Sequence, residues 1–112
     1  MPVDVRVKRW TFTLNNYTED EERTLTSHYP NLLGYVVFGH EVGEEGTPHL
    51  QGYLETVSKI GLEALKKKLG MTRIHLERSR GSAQSNRDYC TKEGNNIIEL
   101  GSPMQQVLII NK

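Results

Sequence analysis

The feature that most constrains this chain is a series of short segments with apolar residues at every second position, separated by stretches of helical character. In Lys8–Asn15, Trp10, Phe12 and Leu14 alternate with Thr11, Thr13 and Asn15. Period two with aromatic and β-branched residues is the mark of a strand. Gly34–Val42 and Pro48–Val57 read as a second and third strand, and the turn Gly43-Glu44-Glu45-Gly46-Thr47 between them marks a hairpin. Arg73–Arg78 alternates again as a fourth strand, and Asn96–Leu100 is a short fifth. Thr18 with Glu21 forms a capping box, and the acids Glu19–Glu22 suit the positive end of a helix dipole, so a helix is expected over residues 18–29, ended before Pro30. Leu62, Leu65 and Leu69 share one helical face, with Ser58 as candidate N-cap and Gly70 as C-cap. Ser82–Glu93 reads as a third helix closed by Gly94.

The order β-α-β-β-α-β-α predicts an α+β fold: a ferredoxin-like or RRM-like antiparallel sheet of about five strands with helices packed on one face. The apolar sets Trp10/Phe12/Leu14, Val36/Phe38, Leu50/Leu54 and Ile74/Leu76 should face those helices. The opposite parity is polar and holds Thr11/Thr13/Asn15, Tyr35/Glu41, His49/Gln51/Tyr53 and Arg73/His75/Glu77. That face is expected to lie open, and it carries the residues able to do chemistry.

Composition narrows the function classes. The 112 residues fit one domain. There is no G-x-x-x-x-G-K-[ST] phosphate loop, and a single Cys leaves no internal disulfide and no zinc site needing two thiolates. No apolar run is long enough to span a bilayer and no secretory signal is legible, so a soluble, intracellular domain without membrane partners is expected. Net charge is zero, yet residues 17–57 carry one Arg against eight acids while residues 58–94 carry nine Lys/Arg against four. A basic second half can meet a polyanion; ordinary charged surface explains it equally well.

On the polar face, His49 and Gln51 are two apart on one strand and project together. A hairpin centred near Glu45 puts Glu41 opposite His49, with Cβ atoms about 4.5–5.5 Å apart. Two oxygens and one nitrogen then share a point, a mixture that suits Mn²⁺ or Mg²⁺ better than zinc. A solvated polar sheet face is the simpler account of the same trio. Tyr89 and Lys92 are three apart on the third helix and so neighbours on it. Tyrosine can act as a covalent nucleophile if a cation stabilises its phenolate. A half-buried ring beside a solvated lysine is the alternative. Cys90 points elsewhere and reads as a small packing residue.

Three motifs in order carry a resemblance. Phe12-Thr13-Leu14-Asn15-Asn16, Pro48-His49-Leu50-Gln51-Gly52 and Tyr89-Cys90-Thr91-Lys92-Glu93-Gly94 resemble the three motifs of the N-terminal endonuclease domain of replication-initiation (Rep) proteins of circular single-stranded DNA viruses. The circovirus-like members, within the wider HUH endonucleases, are the most similar. The resemblance implies origin recognition through the first motif and divalent metal (Mn²⁺ or Mg²⁺) at Glu41, His49 and Gln51. It implies nucleophilic attack by Tyr89, assisted by Lys92, on single-stranded DNA of an origin stem-loop. A 5′-phosphotyrosine and a free 3′-hydroxyl for the host replication machinery would follow, and the reverse reaction rejoins ends.

DNA contacts are expected from Asn15, Asn16, Arg73, Arg78, Arg80, Gly81 and Arg87, with Tyr53 as a base-stacking platform. Lys66, Lys67 and Lys68 fan around a helix and read as solubilising. Residues 1–101 are expected to form the endonuclease domain. Residues 102–112 are a tail or the start of a linker to a helicase domain that this sequence does not supply. The resemblance implies a host-nuclear location, though no targeting signal is legible, and a monomeric isolated domain. The competing reading is a non-catalytic RRM-like module that binds single-stranded nucleic acid, but Trp10 and Phe12 fall on the core parity and no RNP1 pattern is present.

Overall fold

In a computed structural model, which describes residues 5–92 and 96–104, the chain runs β1 (Val7–Asn15), α1 (Glu19–Ser27), β2 (Leu33–Val42), β3 (Pro48–Ile60), α2 (Leu62–Leu69), β4 (His75–Arg78), α3 (Ala83–Thr91) and β5 (Ile98–Gly101). The five strands form one antiparallel sheet in the order β4-β1-β3-β2-β5. This is the expected α+β architecture, with β5 added beside β2.

One side of the sheet is built as the alternation predicts. Trp10, Phe12, Leu14, Val36, Phe38, Leu50 and Leu54 pack with Leu25 of α1 and with Leu65 and Leu69 of α2. Each such large side chain contributes about 1.5–3 kcal/mol by leaving water. Thr18 caps α1 in a reciprocal capping box with Glu21. The helix stops at Ser27, earlier than expected, where His28 and Tyr29 N–H turn to carbonyls three residues back. Ser58 is not the N-cap of α2: β3 continues to Ile60, and Gly61 takes that position. Gly70 closes α2 in the left-handed conformation (φ 72°), as expected.

The other side departs from expectation. α3 does not join α1 and α2; Ala83 and Cys90 pack it on the opposite face, against Tyr35, Val37 and Tyr53. The polar face is therefore only partly open. Its C-terminal end of β1, its start of β3 and its end of β2 remain accessible, and the aromatic row at Tyr35 and Tyr53 is roofed. Ser82 caps α3 by accepting from Ser85 N–H. The expected cap at Gly94 lies outside the described residues.

Candidate active site

The β2–β3 hairpin sets the register that matters. Gly43 N–H bonds Thr47 O, and Val42 pairs with Pro48, so Glu41 stands directly opposite His49. On the other flank of β3, Asn15 pairs with His49. One row across three strands thus reads Asn15, His49, Glu41. The next row on that face reads Thr13, Gln51, Gly39.

His49 Nε2 and Glu41 Oε1 are 3.3 Å apart, both partly buried. Two donors at right angles on a cation with bonds of about 2.1–2.2 Å are separated by about 3 Å, so this spacing fits a shared hard divalent ion. Gln51 supplies the third donor type. Its Nε2 donates to Phe12 O (3.4 Å) and its Oε1 accepts from Thr13 Oγ1 (3.2 Å). Among the described residues no three of His, Cys, Asp and Glu converge. A metal held here by Glu41, His49 and the Gln51 amide oxygen would see a donor mixture better suited to Mn²⁺ or Mg²⁺ than to zinc.

α3 lies over this face. Cys90 is buried, and the Glu41 carboxylate is near enough to raise its thiol pKa, after burial, which is the larger cause; together they push it up to about 11. Cys90 is the packing residue expected, and it stays a neutral thiol at pH 7. Its neighbour Tyr89 is 60% exposed. Lys92 Nζ sits 5.5 Å from the Tyr89 ring centroid, as their three-residue spacing predicts.

The residues expected to touch DNA separate into two groups. Asn15, Asn16, Arg80 and Gly81 are exposed. Asn15 and Asn16 end β1 beside His49, with Asn16 in a left-handed turn (φ 51°). The remaining four make contacts within the fold, Arg73 and Arg78 from exposed positions, Arg87 from a half-buried one and Tyr53 from the interior. Tyr53 is fully buried beneath α3 and its hydroxyl donates to Glu55 Oε2 (2.6 Å), so its ring offers no face to a base. Burial, then that bond, raises its phenol pKa above the usual range. Arg73 precedes β4 and grips Asn15 O, Asn16 O and both Glu21 oxygens. Arg78 has the parity of Leu76, so it lies on the α1/α2 side, stacked 5.3 Å over Trp10 and bonded to Val5 O. Arg87 pairs with Glu99.

Several participants carry no sequence signal. His40 lies between Glu22 Oε1 (2.8 Å) and Asn96 O (2.6 Å), with Tyr17 edge-on to its ring. Glu99 and Tyr35 bond each other across β5 and β2. The position of β5 beside β2 brings Glu99 to Tyr35, and nothing local to the residues announces it.

Fold and site define a class: an α+β domain that places a carboxylate, an imidazole and an amide on the sheet face over which a tyrosine-bearing helix lies. Residues 7–93 match the family described as "Putative viral replication protein", and the chain belongs to that family. It is 48% identical over 98 residues to a replication-associated protein of canary circovirus, covering 88% of this chain and 33% of the relative. It is 46% identical over 100 residues to that of porcine circovirus 2 (88% and 32%). It is 45% identical over 100 residues to Para-Rep C2 of subterranean clover stunt C2 alphasatellite (88% and 35%). The chain spans about a third of the length of the curated relatives it matches.

Proposed function

We propose that this chain initiates rolling-circle replication by nicking and rejoining single-stranded DNA at a viral origin stem-loop, through a covalent bond to Tyr89. The observation that carries the reading is the pairing of Glu41 with His49, 3.3 Å apart, on the face to which Cys90 docks the helix bearing Tyr89. Membership of a viral replication family supports it.

Tyr89 Oη attacks the scissile phosphorus and forms a P–O bond. The P–O3′ bond breaks. The phenol loses its proton and the departing 3′ oxygen gains one, so neither protons nor phosphodiesters change in number and no ATP is needed. Exposure of Tyr89 lets it reach a strand lying across the sheet. Lys92, next to that ring, favours negative charge on the phenolate oxygen or on the phosphate. Glu41, His49 and Gln51 would hold a divalent ion, which would supply positive charge near the phosphate. Asn15 and Asn16, beside His49, and Arg80 with Gly81, at the start of α3, are placed to contact the strand. The product retains a 3′-hydroxyl, which a host polymerase in the nucleus extends.

A passive base-stacking sheet is the poorer reading, because Trp10, Phe12, Tyr35 and Tyr53 are all buried.

The test is covalent capture. Protein mixed with stem-loop oligonucleotides and Mn²⁺ should give a shifted band on a denaturing gel, absent with Tyr89→Phe and with EDTA. An adduct that persists in Tyr89→Phe, or DNA binding without any adduct across a broad oligonucleotide pool, overturns the proposal.

A further inference from the structure

α3 has little to hold it down. A helix of nine residues is below the roughly 12–15 needed for marginal stability alone. It buries only Ala83 and Cys90, both small, so apolar burial anchors it weakly. Its start is tied by Arg9, which donates to Gly81 O, and by Asn86, which donates to Ser79 Oγ (2.7 Å). At its centre, two residues before Tyr89, stands Arg87. Arg87 Nε donates to Glu99 Oε2 (2.6 Å) and a terminal nitrogen donates to Glu99 Oε1 (3.3 Å). The Tyr35 hydroxyl donates to the same Oε2 (2.6 Å). Glu99 on β5 therefore joins α3 to the buried ring of Tyr35 on β2.

We propose that Glu99, bonded to Arg87 and to the Tyr35 hydroxyl, is a latch that fixes α3 over the sheet and so positions Tyr89 for attack. The inference rests on the nicking reading of Tyr89 above. A bidentate guanidinium–carboxylate pair fixes direction as well as distance, which a single surface ion pair does not. The Arg87 guanidinium holds the Glu99 carboxyl below the usual carboxylate range, so the latch is charged at neutral pH. Arg87 is thereby a positioning residue rather than a phosphate contact, and Glu99 and Tyr35 share that role.

The experiment compares Glu99→Ala, Arg87→Ala and the charge swap Arg87→Glu with Glu99→Arg. Three quantities are read: single-turnover cleavage at saturating DNA and Mn²⁺, DNA affinity by anisotropy, and hydrogen exchange of α3 amides. Both single variants should slow cleavage about tenfold or more, since small displacements of a reacting group are costly. DNA affinity should stay within about twofold of the parent. The swap should recover most of the rate and the α3 protection, because it restores the pair with its signs exchanged.

A wild-type rate in Glu99→Ala overturns the latch. So does weakened DNA affinity in Arg87→Ala that the swap leaves uncorrected, the pattern of a phosphate contact. If the parent protein forms no adduct, the nicking reading has failed, and α3 exchange alone decides. Faster exchange in Glu99→Ala, corrected by the swap, retains the latch; unchanged exchange overturns it.

Discussion

Cys90 adjoins the tyrosine of the proposed chemistry and takes no part in it. A step of one residue turns a helix by about 100°, so Tyr89 faces solvent while Cys90 faces Tyr35, Val37 and Tyr53. Burial, with the Glu41 carboxylate second, raises the thiol from 9.0 to about 11. A thiol with a raised folded pKa costs nothing below its unfolded value and destabilises the fold as pH rises between the two. Wild type should lose on the order of 2 kcal/mol relative to Cys90→Ala between about pH 8 and pH 11. Paired denaturant titrations across that range measure it, and a constant gap between the two proteins would show the thiol to be unperturbed. The same residue-scale logic made His49 and Glu41 legible. Their pairing follows from a turn of known centre, because strand register is arithmetic once the hairpin is fixed. Tyr53 is the complementary case: parity gives the face of a side chain, not what covers that face.

Among the elements, β1 and β3 interlock at one point where a side chain is absent. Phe12 pairs with Gly52, and its ring occupies the space a side chain there would need. A Cβ built on Gly52 overlaps the Phe12 ring and comes within 2.7 Å of Val37 O, which is backbone and cannot yield. The glycine beside His49 and Gln51 therefore serves packing, and it links the first motif to the second. Gly52→Ala should cost about 1–3 kcal/mol, the usual price of overpacking a core. Urea unfolding would read this as a lowered midpoint with unchanged slope. An unchanged midpoint would mean that Phe12 has another place to go. Helix ends are legible where the residue type itself marks the cap, as Thr18 and Gly70 do. The start of α2 is not, because Gly61 caps without a side chain and β3 runs on past Ser58.

For the whole molecule, the basic stretch 58–94 reaches both the acidic stretch and the C-terminal strand. Arg73 binds Glu21, and Arg87 binds Glu99. Arg73 and Arg78 make their contacts from exposed positions, so their cationic groups stay at the surface. Among the described residues no helix is long and apolar enough to cross a membrane. Ligand binding to the native state alone raises stability by mass action, about 2–3 kcal/mol at a hundredfold excess over Kd. Mn²⁺ should therefore raise the melting temperature by several degrees, and His49→Ala or Gln51→Ala should abolish the rise without any DNA present. A rise that survives both substitutions would place the metal elsewhere. Alternation, capping and turn chemistry, all local, determined from the sequence the strands, the hairpin register, the Glu41–His49–Gln51 face and the Tyr89–Lys92 pair. Only the tertiary structure decided that α3 crosses to the opposite face, that Tyr53 lies beneath it, and that Arg73, Arg78 and Arg87 are held by distant partners. A nine-residue helix with Ala83 and Cys90 as its buried face carries too small an apolar signal to say which side of a sheet it covers, and a salt bridge leaves no period in the chain.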